Sequence, residues 1–314
     1  MMEGAIVGNS KKAVCKTYIE CYDSSWNGME WKGMVRIMGI FMRFPGGKKK
    51  ALTLSYDDGV EQDIRLIDIM KKNGLKGTFN LNSGCYAPEG TVYPEGTIHR
   101  RMTKEQVTKL YSESGMEVAV HGLTHPHLEQ LPINLCLEDI VKDRENLEEQ
   151  FGVIVRGMAY PYGSFHDTVI ECMKAAGIVY SRTVISNRGF SIPKDWLRLE
   201  ATCHHDDPKL MELAKKFAED NSNSSPWLFY LWGHSYEFEA HDNWNVIENF
   251  AEYSGGRDNI WYATNIEIYE YVTAYRQLVF SMDAKQVFNP TAYTLYFEKD
   301  GNEYCVKSGE HILM

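Results

Sequence analysis

Adjacent carboxylates, Asp57 and Asp58, end an apolar, β-leaning run, Leu52-Thr53-Leu54-Ser55-Tyr56, and are followed by Gly59. Side chains of a strand alternate between faces, so the pair converges on one pocket only if the backbone turns there. Two carboxylates this close both stay ionised only beside a cation or strong donors. An Asp-Gly turn is the plain alternative, since both residue types favour turns. His121-Gly122-Leu123-Thr124-His125-Pro126 adds two imidazoles, at positions 121 and 125, that one tight turn can aim at a common point. One carboxylate with two imidazoles makes a facial ligand set that leaves positions open for water and substrate. His127 is near, but Pro126 redirects the chain, and it reads as a supporting or surface residue. Tyr162-Gly163 and His234 are the remaining polar groups of this kind.

These residues share a position. Each falls just past the end of an expected strand. The sequence predicts strands over 50–56, 77–81, 116–120, 153–159, 178–183, 197–203, 226–232 and 260–263. Helices are expected over 61–73, from Thr103 to Gly115, and over 134–150, 167–176, 208–219, 243–253 and 265–278. In the first helix Ile64, Ile67 and Met70 recur every third residue and would line one face. Thr103 with Gln106 forms a capping-box pattern. Strands alternating with helices indicate a (β/α) barrel or a doubly wound sheet, and sites in such folds are built at the C-terminal ends of the strands. After Phe280 the rhythm changes, and two short β runs flank Lys299-Asp300-Gly301-Asn302, a hairpin signal. The expected division is a loosely held extension over 1–43, a barrel over 44–280 and a small β appendage over 281–314.

The chain has 314 residues, enough for one large α/β barrel or two ordinary domains. Its formal net charge is -10, and no basic block exceeds Lys48-Lys49-Lys50, which disfavours a nucleic-acid or anionic-membrane partner. No apolar run approaches the roughly 18 residues that span a bilayer. Residues 1–10 lack the charged and apolar regions of a signal peptide. The 7 cysteines are odd in number and include no CxxC pair, which argues against a disulfide framework or a zinc knuckle. Free thiols fit a reducing cytoplasm, and a cytoplasmic location is the expectation.

Ser55-Tyr56-Asp57-Asp58-Gly59, His121-x-x-x-His125-Pro126, Tyr160-Pro161-Tyr162-Gly163 and Leu231-Trp232-Gly233-His234 together resemble the successive motifs of the polysaccharide deacetylase family. This is the NodB-like homology domain, also called carbohydrate esterase family four. The resemblance covers roughly residues 50–270. It implies a distorted, incomplete (β/α)7-type barrel and one divalent metal, usually zinc, with cobalt or manganese as alternatives. Asp58, His121 and His125 would bind the metal. Asp57 would be the general base that activates water, and His234 the general acid for the departing amine. The backbone amide of Tyr162 would help hold the oxyanion. The implied activity is hydrolysis of an acetyl group on an N- or O-acetylated sugar or oligosaccharide. Close alternatives are hydrolysis of a cyclic ureide or imide on the same fold, and a catalytically weak carbohydrate-binding barrel.

The chain departs from the family pattern at three places. Ala159 stands where the family has an arginine that pairs with the catalytic Asp, and Arg182, one strand over at the same rim, is expected to replace it. Gly122 stands where Ser or Thr is common after the first metal histidine. The Asp near a Trp that tunes the acid histidine has only a weak match in Asp195-Trp196. Glu237 is another carboxylate able to orient His234. Thr202-Cys203-His204-His205-Asp206-Asp207 reads either as a polar loop before a helix or as a rim segment, with His205 placed against substrate or tuning the acid. Tyr236 is the aromatic expected to contact the sugar.

Overall fold

The computed structural model describes residues 39–222 and 224–314. Residues 1–38, most of the expected extension, lie outside the described residues. The described chain opens with β1 (Ile40–Arg43) and continues through β2 (Lys50–Asp57), α1 (Asp63–Lys72), β3 (Gly77–Leu81), α2 (Lys104–Ser112), β4 (Glu117–Val120) and α3 (Ile133–Phe151). Next come β5 (Gly157–Ala159), α4 (Asp167–Ala175), β6 (Tyr180–Ser186), β7 (Leu199–Ala201), β8 (Cys203–His204) and α5 (Leu210–Glu219). The series closes with β9 (Trp227–Gly233), α6 (Tyr236–Ala240), α7 (Asn245–Ser254), β10 (Ile260–Tyr262) and α8 (Asn265–Tyr275).

Nine strands, β2 to β10, form one sheet, all paired in parallel, in the order β7-β6-β5-β4-β3-β2-β9-β8 with β10 beside β2. β7 and β8 are the two ends of that order, yet only Thr202 separates them in the chain. The sheet must therefore curl until its edges meet, which makes an incomplete barrel. Thr202 sits at the seam, where its N–H donates to the Tyr230 carbonyl at 2.8 Å and its Oγ1 donates to the Gly189 carbonyl at 2.9 Å. The single strand expected over 197–203 is for this reason two strands. The strand expected over 153–159 is also shorter, because the Val155 N–H turns away to Glu148 Oε1 at 3.0 Å.

β2 is buried along its whole length, as a central strand of a covered parallel sheet should be. Helix α1 packs Leu66, Ile67 and Met70 inward, while Ile64 is 45% exposed. The expected Ile64-Ile67-Met70 stripe is thus rotated. Its cause is Asp63, which is buried and anchored by the Val60 N–H at 3.1 Å and the Tyr111 hydroxyl at 2.6 Å. α2 begins at the capping box of Thr103 and Gln106, and α8 at a second box of Thr264 and Glu267.

Beyond α8 the chain forms β11 (Val279–Phe280), β12 (Gln286–Phe288), β13 (Leu295–Lys299), β14 (Asn302–Val306) and β15 (His311–Leu313). These build two small antiparallel sheets, β1-β13-β14 and β11-β12-β15. The β13–β14 hairpin turns through Asp300 and Gly301, both at positive φ, as a tight two-residue turn requires. β1 is held in this appendage by Arg43, whose buried guanidinium meets Glu298 at 2.5 Å. Among the described residues no helix is long and apolar enough to cross a membrane.

Candidate active site

Asp57 ends β2 inside the rim of the barrel and is almost wholly buried. Strand register supplies two of its partners. Asn80 lies directly opposite on β3 and donates from Nδ2 to Asp57 Oδ1 at 2.8 Å. Arg182 lies opposite Ala159 on the next strand over and donates from Nη2 to Asp57 Oδ2. The contact is a single prong, with Nη1 turned to the Thr183 carbonyl, so Asn80 holds the oxygen that a two-pronged arginine would take. Trp232 supports the guanidinium from below, its ring 4.4 Å from Arg182 Cζ. His121 Nε2 and His234 Nε2 stand 3.8 Å and 3.7 Å from Asp57 Oδ2. Burial pushes the Asp57 carboxyl up, but Arg182, His121 and His234 outweigh it and hold the group below the usual range.

Asp58 leaves the strand at φ 88°, a left-handed value that a non-glycine residue adopts only under constraint. That turn brings the second carboxylate to the same side as the first. Arg101 donates to Asp58 Oδ1 at 2.8 Å and also to its carbonyl, and His99 Nε2 lies 3.2 Å from Oδ2. Burial opposes ionisation of Asp58, and His99 and Arg101 with the rim histidines reverse it strongly. His99 and Arg101 come from the long segment between β3 and α2. Their sequence context, rich in Gly and Pro, gives no sign of a site.

His121 follows β4. Its Nδ1 lies 2.9 Å from the Ala159 carbonyl, which leaves Nε2 facing the pocket. His125 sits at φ 54° on the turn that begins at Gly122, and the two rings meet edge to face at 4.8 Å. Gly122 itself is at φ 76°, a region glycine enters freely. Asp139 takes the Leu123 N–H at 2.8 Å, so a helix carboxylate braces this turn. Burial lowers the His121 pKa, and burial with the neighbouring His121 pushes His125 down to about 4. Both rings are therefore neutral near pH 7, with lone pairs free for a cation.

His234 stands across the pocket, at the end of β9. Its Nδ1 is 3.2 Å from Glu237 Oε1, one turn later on α6. Burial disfavours the charged ring, but Glu237 and Asp57 win and raise its pKa above the ordinary value. Glu237 is thus the carboxylate placed to orient His234. Asp195 accepts from Leu197 N–H and pairs with Arg198, away from His234. His205 departs from its expected substrate contact. It is fully buried, stacked on Tyr56 and packed against Phe238, with Nε2 3.1 Å from Glu237 Oε2. Of the expected aromatics, Tyr236 lies beside His234 and His99, with ring centroids 5.3 Å and 4.8 Å away. Tyr162, at φ 57° and 56% exposed, packs edge-on to His125 and stacks on His127 at 3.9 Å.

Ligand atoms of Asp58, His121 and His125 all lie within 4.8 Å of one another. An ionised carboxylate and two neutral imidazoles around one point fit a divalent cation with positions left open. The set stands at the rim of an incomplete (β/α) barrel, beside a buried aspartate and a histidine. Residues 45–181 match the model of the polysaccharide deacetylase family. Family members generally use a divalent metal. His234 and Glu237 fall outside the matched residues.

A curated relative, the uncharacterized protein YlxY of Bacillus subtilis, is 28% identical over 132 residues, 42% of this chain and 37% of that protein. The chain therefore spans little more than a third of that relative. A Mycobacterium smegmatis protein assigned as a polysaccharide deacetylase shares the fold with a TM-score of 0.52 at 16% identity, over 74% of this chain and 93% of that one. The Streptococcus pyogenes deacetylase PplD, solved in complex with acetate, matches at 22% identity with a TM-score of 0.40, over 46% of this chain and 61% of that one.

Proposed function

We propose that the chain is a metal-dependent hydrolase that removes an acetyl group from an N- or O-acetylated sugar or oligosaccharide. The observation that carries the proposal is the placement of Asp57. It lies between the convergent Asp58-His121-His125 set and His234, with its two oxygens assigned to Asn80 and Arg182. A divalent ion of the zinc, cobalt or manganese kind, held by Asp58, His121 and His125, would supply Lewis acidity and lower the pKa of water from 15.7 to about 7.

The residues divide the remaining work. Asp57, kept ionised by its neighbours, accepts the proton of the attacking water. Arg182 and Asn80 fix its rotamer, which matters because a general base acts only within hydrogen-bond reach of its proton. His234 donates to the leaving nitrogen or oxygen, since an amine departs only when protonated. Glu237 on Nδ1 aims Nε2 at the pocket and stabilises the imidazolium. The backbone amide of Tyr162 is assigned to the oxyanion, and the Tyr236 ring beside His234 to the sugar face.

Acetate release from a panel of N- and O-acetylated oligosaccharides, run beside cyclic ureides and imides, tests the reading. Acetate from at least one saccharide is expected. Hydrolysis of a ureide with no acetate from any saccharide would overturn the substrate class while keeping the site. No turnover on either, with metal bound, would favour a binding barrel.

A further inference from the structure

A second group of ligand-type side chains lies behind His234. His204, His205, Asp206 and Glu237 each offer one atom, and these atoms all lie within 4.8 Å of one another. His204 Nε2 and His205 Nε2 are each 3.1 Å from Glu237 Oε2, and His205 Nε2 is 3.5 Å from Asp206 Oδ1. Donor atoms about 2.0–2.2 Å from a tetrahedral centre stand about 3.3–3.6 Å apart. The separations of 3.1, 3.1 and 3.5 Å lie at or just under that span, and all four atoms fall within 4.8 Å, close enough for one cation to gather them.

The independent sign is His205. The residue has no exposed surface, Nδ1 has no partner, and Nε2 meets Glu237 Oε2 at 3.1 Å only off the hydrogen-bond line. Its Nε2 is close to two carboxylate oxygens without pointing an N–H along either line. A buried imidazole without well-aligned hydrogen bonds costs free energy, and a lone pair of Nε2 directed at a shared cation offsets part of that cost. The ring is locked in this pose. Tyr56 stacks on it, Phe238 packs at 4.1 Å, and a Cβ at Gly233 would meet Nδ1 at 2.0 Å. The outer side is braced too, with His241 Nδ1 3.3 Å from Asp206 Oδ2.

We propose that His205, Asp206, Glu237 and His204 bind a second divalent cation, distinct from the one at Asp58-His121-His125. Two imidazoles with two carboxylates select a borderline ion such as zinc or cobalt over magnesium. His204 is the weakest of the four ligands. Its Nδ1 takes the Asp206 N–H at 3.2 Å, and that contact must be given up before Nε2 presents a lone pair. Glu237 would then bridge, with Oε2 on the cation and Oε1 on His234. The cation would fix the carboxylate that fixes the acid, which is the supporting role second ligands commonly take.

The test is metal stoichiometry on the full chain, loaded with Co(II) or Zn(II) and desalted. Wild type is expected to hold two equivalents, Asp58→Asn one and Asp206→Asn one. Asp206 is partly exposed, so that variant should fold, and circular dichroism checks it. Retention of one equivalent in Asp58→Asn that is lost on adding Asp206→Asn supports the second site even if the first proves empty. One equivalent in wild type and none in Asp58→Asn would overturn it, leaving a hydrogen-bonded cluster in its place. Neither readout depends on finding the substrate.

Discussion

Asp57 and Asp63 are six positions apart and both are buried, yet their surroundings drive them in opposite directions. Asp57, at the rim, faces Arg182, His121 and His234, and its carboxyl is held below the usual range. Asp63, at the start of α1, faces only neutral donors: the Ser235 hydroxyl at 2.6 Å, the Tyr111 hydroxyl at 2.6 Å and the Val60 N–H. Burial raises it to about 7 against those hydrogen bonds. Burial is common to both groups, so burial does not mark the site. Positive partners do. Asp58 and Glu237 follow the Asp57 pattern, each encircled by imidazoles or a guanidinium.

Changes at the rim should therefore cost activity, and changes at Asp63 should cost or add stability alone. The largest effect is expected from Asp58→Ala, which removes a ligand of the proposed rim cation. Activity should fall to background while the fold persists, and retained turnover with retained metal would remove Asp58 from the ligand set. Next comes His234→Ala, which should lower kcat by about 10²–10⁴-fold and leave the rim cation bound. Loss of that cation would make His234 a ligand instead of an acid. Arg182→Lys keeps the charge but loses both the planar fork and the contact with Trp232. It should lower kcat by about 10-fold or more, a fraction of the general-base contribution, with KM less affected. Wild-type kcat in Arg182→Lys would mean that Asn80 alone positions Asp57.

Asp63→Asn should leave turnover unchanged and alter only the pH dependence of stability. The folded pKa of Asp63 is raised above its unfolded value, so the folded state binds the extra proton. The stability that protonated Asp63 allows is complete below the unfolded pKa of 3.8, is lost as pH rises from there to about 7, and changes no further above that. Each tenfold gain in proton affinity on folding is worth about 1.4 kcal/mol. Urea midpoints at pH 5 and pH 8 should converge in Asp63→Asn relative to wild type. An unchanged difference would show that Asp63 is already ionised at pH 5.

The same contrast explains what can be read from the chain. Short-range patterns are legible: the apolar run into Asp57, the Thr103-Gln106 capping box and the Asp300-Gly301 hairpin all form as their residue types dictate. Arg182 can be placed at the rim because Ala159 and Arg182 lie on neighbouring strands and fall in register. Asn80, a lone amide in the apolar run 77–81, is a signal of the same kind, since a polar side chain inside a covered strand needs a buried partner. The seam at Thr202 is not legible, because no local propensity records that two sheet edges meet there. His99, Arg101 and the cluster around Glu237 depend on loop paths and on residues far apart in the chain, and spacing alone cannot place them. His205 lies in a polar stretch that reads as a rim loop, whereas Tyr56 and Phe238 draw its ring inside.

The central claim is that the rim carboxylates and imidazoles hold a divalent cation on which deacetylation depends. Acetate release from an acetylated oligosaccharide should be measured on wild type as purified, after exhaustive chelation, and after return of zinc or cobalt. Release is expected to vanish on chelation and to recover with metal in wild type but not in Asp58→Ala. Undiminished acetate release from protein shown to be metal-free would contradict it.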